Sequence, residues 1–348
     1  MSARVAFIGC GSHATNNIFP MLKYARCRLD SVCDLDETLA RRNAQIFGAE
    51  AVFTDARRLL DERKADGVFV VGPPAMHYEV GRQVLERGLP LFVEKPPAPT
   101  LAQTQELADL AHRHGTFFMA GFMKRFGMTY RKAQELMTSG QFVPAAARFQ
   151  YGHWAMSDLR SMLLGMCSHP LDLALAFFGP ATSVSSALYR DERQAISLAV
   201  TLRFASGRWA QLMLDAAQPR IQERVEISGT MDGNNALLVM DNVDRLELHR
   251  QKHNGIDLLA PSLDTINPQF DLADIQVWRP DNGLPNMAQT RHFNQGFAGE
   301  VREFIDAIIE KRPAVPGAAE SLVVMRLIET SAANPDGASN LETQPKRS

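Results

Sequence analysis

The run Val5-Ala6-Phe7-Ile8-Gly9-Cys10-Gly11-Ser12-His13-Ala14 sets a short apolar stretch directly before a GxGxxA pattern and a helical segment. That order constrains the fold more than any other feature. A buried strand has to turn sharply at Gly9, let a ligand approach its backbone at Gly11 and pack the next helix closely at Ala14, as in a dinucleotide-binding βαβ unit. Free N–H groups at the helix start, around Ser12 and His13, favour a pyrophosphate there. Twenty positions beyond Ala14, Asp34 closes the apolar run Ser31-Val32-Cys33. Its carboxylate is placed for the adenosine ribose hydroxyls and repels a 2′-phosphate, which favours NAD over NADP, while Arg41 and Arg42 weigh the other way.

Short apolar runs continue through the first third of the chain: Leu29–Cys33, Val68–Val71, Leu91–Val93 and Phe117–Ala120. Amphipathic stretches at Glu37–Phe47, His77–Arg87 and Leu101–His114 separate them. Continuous apolar strands alternating with helices predict a doubly wound parallel sheet covered on both faces. A helix near residues 130–139 ends at Gly140, and the pattern changes. Ala145–Tyr151, Thr182–Leu188, Ile196–Phe204, Trp209–Leu214, Arg224–Ser228, Ala236–Met240 and Arg245–His249 follow one another without intervening helices, which predicts a large open, mainly antiparallel sheet. Ala205-Ser206-Gly207 and Met231-Asp232-Gly233-Asn234 supply hairpin turns. The expected class is α/β, with residues 1–123 as a nucleotide-binding Rossmann domain and 124–333 as a substrate-binding and oligomerisation domain. The stretch 254–294 reads as irregular, helices are expected at Gln295–Glu310 and Ala318–Ala332, and 334–348 reads as a flexible tail.

A chain of 348 residues has room for two cores. With 37 basic and 39 acidic side chains, its formal charge of −2 offers no field to recruit nucleic acid or an anionic membrane. Cys10, Cys27, Cys33 and Cys167 lack the spacing of a disulfide framework or a zinc site, and His249, His253 and His292 show no ligand spacing, so no metal is expected. The start runs straight into a strand and no apolar run approaches ~18 residues, so the reading expects a cytoplasmic protein without a membrane span. Met162, Met166, Met213 and Met240 read as core filler.

Lys95 leaves an apolar strand in Leu91-Phe92-Val93-Glu94-Lys95-Pro96-Pro97. Ligands of open α/β sheets collect at the carboxyl ends of the strands, so this lysine is the first candidate for chemistry; the alternative is an ordinary lysine opening a solvated loop. His77, after Pro73-Pro74, is placed either near the cofactor or as a packing group. Arg125 reads as a substrate contact or a member of an interdomain salt bridge. Tyr151 and Trp154 are candidates to stack on a sugar ring, or aromatic packing at a sheet end.

Taken together, Gly9-Cys10-Gly11-Ser12-His13-Ala14, Asp34, Gly72-Pro73-Pro74-Ala75-Met76-His77, Glu94-Lys95-Pro96 and Gly121-Phe122-Met123-Lys124-Arg125-Phe126 resemble the glucose-fructose oxidoreductase, inositol dehydrogenase and rhizopine-catabolism (Gfo/Idh/MocA) family. Ser168-His169-Pro170-Leu171-Asp172 falls where that family carries its histidine motif. The resemblance implies NAD(P)-dependent oxidation of a sugar, amino sugar or cyclitol hydroxyl, or the reverse, in a homodimer or homotetramer assembled through the second sheet. It also implies that Lys95 hydrogen-bonds the reacting hydroxyl, that His169 is the general acid/base, and that Asp172 binds substrate or orients the site. Gly9, Gly11, Ser12, His13, Ala14, Asp34, Pro73, His77, Glu94 and Lys95 would face the cofactor, and Lys95, Arg125, Tyr151, Trp154 and Asp172 the substrate. Alcohol oxidation needs a base that works near neutral pH, which imidazole supplies.

One position departs from the pattern. Four residues before His169, where the family often has aspartate, this chain has Gly165. Asp172, three residues after His169, is a candidate to compensate if the segment is helical. Two alternatives stay open: an NAD-binding sensor without turnover, and an NAD-dependent glycoside-cleaving enzyme.

Overall fold

The computed structural model describes residues 2–153, 155–251, 273–280 and 290–341. The chain packs as two units: Met1–Gly127, Ser157–Ala176 and Ala288–Pro335 form the first, while Met128–Met156, Phe177–Met287 and Asp336–Ser348 form the second. The histidine segment and the last two helices, which a linear division at residue 123 assigns to a second domain, therefore pack with the nucleotide-binding part.

In the first unit, β1 (Ala3–Ile8), β2 (Cys27–Cys33), β3 (Ala51–Phe53), β4 (Gly67–Val70), β5 (Leu91–Glu94) and β6 (Phe118–Gly121) form a parallel sheet in the order β3-β2-β1-β4-β5-β6. The order reverses beside β1, so the crevice at its carboxyl end is the switch point where ligands bind in such sheets. Strands β4, β5 and β6 are buried along their whole length, as an apolar strand between two helical layers has to be. On one face Phe7 stacks on Phe19 (3.8 Å between ring centres) and Phe69 (5.3 Å). Full burial of each such ring is worth about 2–3 kcal/mol.

The helices follow their caps. Asp36 accepts backbone N–H bonds from Thr38 and Leu39 to start α1 (Glu37–Phe47), which ends at left-handed Gly48. Asp55 caps α2 (Ala56–Glu62), Pro74 opens α3 (Pro74–Glu86), and Thr100 caps α4 (Leu101–Arg113). After the glycine loop the chain turns through five π-helical residues (Ala14–Ile18) and then a 3₁₀ turn (Phe19–Tyr24). Strand β3 and helix α2 escape a reading by apolar runs, because three half-buried residues and a seven-residue helix carry too little periodicity.

The second unit holds α5 (Met128–Thr138) and a sheet of nine strands: β7 (Val143–Gly152), β8 (Ala181–Arg190), β9 (Ile196–Phe204), β10 (Trp209–Asp215), β11 (Gln222–Met231), β12 (Asn234–Asp241), β13 (Arg245–Gln251), β14 (Ala273–Trp278) and β15 (Ala338–Asn340). All its pairings are antiparallel except β7 with β10. Strand β14 lies in the stretch expected to be irregular. Strand β15, in the expected flexible tail, pairs Ala338–Asn340 with β8. Alternation along β10 buries Ala210, Leu212 and Leu214 and leaves Trp209 and Met213 exposed, so Met213 is not core filler; Met162, Met166 and Met240 are buried.

The chain from α6 (Leu159–Met162) through a π-helical turn (Leu163–Cys167) into α7 (Ser168–Phe178) is one continuous helical run. By length and composition Leu159–Phe178 is apolar enough to cross a bilayer, which inspection for uninterrupted apolar runs overlooks; 56% of that apolar window is buried inside the protein. The last described helices are α8 (Thr290–Gln295), α9 (Phe297–Glu310) and α10 (Ala318–Ala333), and α9 sets Phe304 edge-on against Phe69 (4.9 Å).

Candidate active site

The carboxyl ends of β1, β2, β4 and β5 carry Gly9, Asp34, Gly72 and Lys95. Gly9 adopts φ +101°, and a Cβ there would collide with the Val71 carbonyl oxygen, so the turn admits only glycine. At Gly11 a Cβ would meet no protein atom within 4 Å. The bare backbone is therefore not a packing requirement of the fold, which fits a residue reserved for close approach by a pyrophosphate. Asp34 accepts the Cys10 N–H through Oδ2 (2.6 Å) and the Asp36 N–H through Oδ1 (2.9 Å), tying the glycine loop to the end of β2. Arg41 pairs with Glu37, and Arg42 reaches Thr15 Oγ1 at 3.4 Å. Ser12 and His13 are exposed at the loop, Ala14 is buried beneath it, and Pro73 is exposed just before α3. These residues fit a bound dinucleotide.

His77 is buried, with both ring nitrogens committed to backbone. Its Nδ1 lies 2.9 Å from the Pro96 carbonyl oxygen and its Nε2 accepts the Gly72 N–H at 3.0 Å. The bonds fix the tautomer, and burial pulls its pKa below the usual imidazole value. This ring staples the exit of β4 to the Lys95 loop and offers no nitrogen to a ligand. Glu94, also buried, accepts the Lys95 N–H at 3.1 Å and sets Oε1 3.1 Å from His13 Nε2. Gly121 makes room for it, since a Cβ there would press to 3.0 Å on the carboxyl group.

Lys95 Nζ donates to the Gly165 carbonyl oxygen at 2.9 Å. That oxygen belongs to the π-helical turn Leu163–Cys167, where the wider winding breaks the regular α-helical hydrogen-bond ladder. Where the family often places a carboxylate, the ammonium here has a backbone acceptor. Burial lowers the Lys95 pKa; Glu94 works against that shift and Lys124 adds to it.

His169 is 9% exposed, and among the described residues its Nδ1 has no hydrogen-bond partner. Burial holds its pKa well below the usual imidazole value, and the nearby Lys95, Lys124 and His13 push the same way. The two residues are thus close enough for the lysine charge to oppose protonation of the imidazole. Asp172 lies on α7 as expected, but it does not serve His169. Both its oxygens accept from Arg125, at 2.7 Å from Nε and 2.6 Å from Nη2. The reason is competition: a planar guanidinium offers a fork that matches a carboxylate, and Asp172 is buried while the Arg125 side chain keeps only 13% exposure. Burial pushes the Asp172 carboxyl up to about 6 against the pull of Arg125.

Tyr151 is in the second unit, 4% exposed, with its hydroxyl 3.3 Å from that of Tyr130. It points inward because it alternates with Phe149 and Ala147 on the buried face of β7. It is a core residue there rather than an exposed stacking platform. Trp154 lies outside the described residues. Sequence reasoning missed Lys124, 3% exposed, whose Nζ donates to Gln295 Oε1 at 2.7 Å, and Glu300, fully buried on α9. Lys124 stands within Gly121-Phe122-Met123-Lys124-Arg125-Phe126, but local sequence carries no signal that either charge is buried. Among the described residues, no group of three His, Cys, Asp or Glu side chains is arranged to hold a metal ion.

Residues 3–122 match the family described as "Oxidoreductase family, NAD-binding Rossmann fold", and residues 136–333 match "Oxidoreductase family, C-terminal alpha/beta domain". A D-glucoside 3-dehydrogenase of Escherichia coli is 33% identical over 139 residues, a match covering 39% of this chain and 39% of that protein. Among solved structures, a dehydrogenase from Chromobacterium violaceum superposes with TM-score 0.81 at 24% identity over 95% of each chain. A myo-inositol dehydrogenase from Lactobacillus casei, in complex with NAD(H) and myo-inositol, gives TM-score 0.74 at 19% identity over 100% of this chain and 99% of that one. At these identities the superpositions speak for the fold alone, whereas the two family matches together span most of the chain. The protein belongs to the Gfo/Idh/MocA oxidoreductase family, with an NAD-binding Rossmann domain followed by an α/β domain.

Proposed function

We propose that the protein is an NAD-dependent dehydrogenase acting on a secondary hydroxyl of a sugar, amino sugar or cyclitol, with Lys95 and His169 as its catalytic residues. The observation that carries this reading is the pairing of a half-buried ammonium on the Gly165 carbonyl with a buried imidazole whose pKa is lowered by burial and whose Nδ1 has no hydrogen-bond partner among the described residues. When bound, NAD accepts the hydride from the substrate carbon. Lys95, half-buried, donates a hydrogen bond to the reacting oxygen and stabilises negative charge developing on it. His169 takes the hydroxyl proton. Its depressed pKa keeps it in the accepting form at neutral pH, which favours oxidation. Arg125 and Asp172 neutralise each other and position the helix that carries His169.

Asp34 favours NAD over NADP. Its carboxylate is held at the end of β2 by the Cys10 and Asp36 N–H groups, which supports a role for it against a 2′-phosphate. Assembly of two or four copies through the open face of the second sheet is supported by Trp209, Met213, Ile275 and Val277, which are 38–55% exposed there.

The test is to mix the purified protein with NAD and a panel of sugars, amino sugars and cyclitols, and to follow the absorbance of the reduced nicotinamide. Reduction with at least one polyol, lost in both Lys95→Ala and His169→Ala, is expected. Tight NAD binding without reduction across the panel would favour a sensor, and release of an aglycone without net reduction would favour glycoside cleavage.

A further inference from the structure

Among the described residues no carboxylate is in ion-pair contact with Lys95 Nζ, which instead donates to the Gly165 carbonyl oxygen at 2.9 Å. That oxygen also accepts the Ser168 hydroxyl at 3.3 Å, so one neutral acceptor serves two donors. The acids around it are committed elsewhere. Glu94 turns Oε2 to the Lys95 backbone N–H at 3.1 Å and sets Oε1 3.1 Å from His13 Nε2. Asp172, on the same helical run as Gly165, gives both oxygens to Arg125. Burial pushes the Cys167 thiol pKa up, so the thiol stays neutral and supplies no counter-charge. Position 165 ends at its α-carbon, and a Cβ there would meet no atom of the described residues within 4 Å. A side chain bearing a carboxylate has room at that point, and the chain provides none. A half-buried ammonium on a neutral acceptor keeps a desolvation cost that an arriving anion offsets.

We propose that the substrate itself brings the missing carboxylate: the site takes a polyhydroxy acid of the aldonate type, whose carboxylate pairs with Lys95 in the space that an acidic side chain at position 165 would reach. This rests on the dehydrogenase reading and narrows its substrate class. An ammonium has three N–H donors. One is spent on the Gly165 carbonyl, which leaves one for the reacting hydroxyl and one for the carboxylate, so the two substrate groups stand on adjacent carbons. The carboxylate is unchanged by the reaction. The hydride leaves the carbinol carbon for the nicotinamide, the hydroxyl proton passes to His169, and a 2-keto acid remains. The fork of Arg125, which a carboxylate would otherwise take, is already filled by Asp172, so the ammonium is the cation left for an anion. The field of Lys95 opposes protonation of His169, and an anion on the lysine offsets that field, so the base gains proton affinity as the acid binds.

The test sets gluconate, galactonate and mannonate each against its own amide, which keeps the shape and removes the charge. Calorimetric titration with NAD present reads binding, and the absorbance of reduced nicotinamide reads kcat/KM. The wild-type protein is expected to bind and oxidise at least one acid about 30-fold or more better than its amide, the scale of a charge-assisted contact. Gly165→Asp puts a carboxylate of the chain into the same space and is expected to bring that ratio to about 1, whereas the neutral isostere Gly165→Asn is expected to keep it about tenfold higher. The wild-type comparison stands without either variant. No binding of any acid, equal affinity for acids and amides, or equal ratios in the Asp and Asn variants would overturn the proposal. Acid-selective binding without reduction of the nicotinamide would overturn only the dehydrogenase reading, and oxidation of neutral sugars with no preference for acids would overturn only the substrate assignment.

Discussion

The Lys95 ammonium is held by the backbone carbonyl of Gly165, 2.9 Å away, rather than by a carboxylate. A backbone acceptor carries no full charge, so burial can lower the lysine pKa further than it could beside an anion. The side chain at position 165 is also free to vary, since a Cβ there meets nothing within 4 Å. Gly165→Ala should therefore leave the Lys95 contact intact and stabilise the helical run by about 0.4–1 kcal/mol, seen as a raised denaturation midpoint with activity retained. Lys95→Ala should lower kcat by about 10²–10³-fold, the usual cost of removing one donor to developing negative charge. Loss of activity in Gly165→Ala would show that the lysine depends on more than that carbonyl.

Gly9 and Gly11 separate folding from binding. Gly9→Ala forces a side chain into the Val71 carbonyl at a positive φ and should destabilise the first unit by several kcal/mol, about 1–3 from the backbone alone. Gly11→Ala should change the unfolding free energy by no more than about 0.5 kcal/mol while weakening NAD at least about tenfold. Denaturation curves and NAD titrations on the two variants distinguish these outcomes.

Arg125, half-buried, forms a fork on the buried Asp172, and removing the arginine strands the carboxylate. Asp172→Ala should cost about 3–5 kcal/mol, and the double variant Arg125→Met with Asp172→Leu markedly less than the sum of the single changes. Urea denaturation of the four proteins in the cycle measures the coupling. Strict additivity would mean that the pair is solvated.

His169 and His77 both have folded-state pKa values below the ordinary 6.5. A depressed pKa means that below 6.5 the unfolded chain binds protons that the folded chain refuses. Their contribution to stability is therefore complete above 6.5 and is lost as pH falls towards the folded-state values, with a slope of up to about 1.4 kcal/mol per pH unit for each group. Denaturation midpoints compared at about pH 7.5 and about pH 5.5 should fall with acidity, and the fall should shrink in His169→Gln. The acid limb of kcat/KM should likewise lie below 6.5; a limb above that value would mean that His169 is not the base.

The architecture and the cofactor crevice were legible because they rest on local signals. Gly9 needs a positive φ, Asp34 ends an apolar strand, and β4 to β6 are uninterrupted apolar runs. Lys95 was legible by its place at a strand end. The partners of these residues were not. That Asp172 would pair with Arg125 instead of His169, that Gly165 would offer its carbonyl, and that Tyr151 would face a core all depend on which long-range neighbours the fold brings to each side chain. Sequence spacing places a residue on a face, and packing decides what it meets there. Glu300 carries no local mark at all, since an acid in the first turns of a helix is ordinary until its surroundings are known.

The most direct test of the account is a tracer experiment with a substrate found in the polyol panel, carrying deuterium on the carbon of its reacting hydroxyl. Mass spectrometry of the cofactor after a single turnover is predicted to find the label on the nicotinamide for the wild-type protein and none in Lys95→Ala or His169→Ala. Undiminished transfer in both variants would contradict the assignment of these residues to the chemistry.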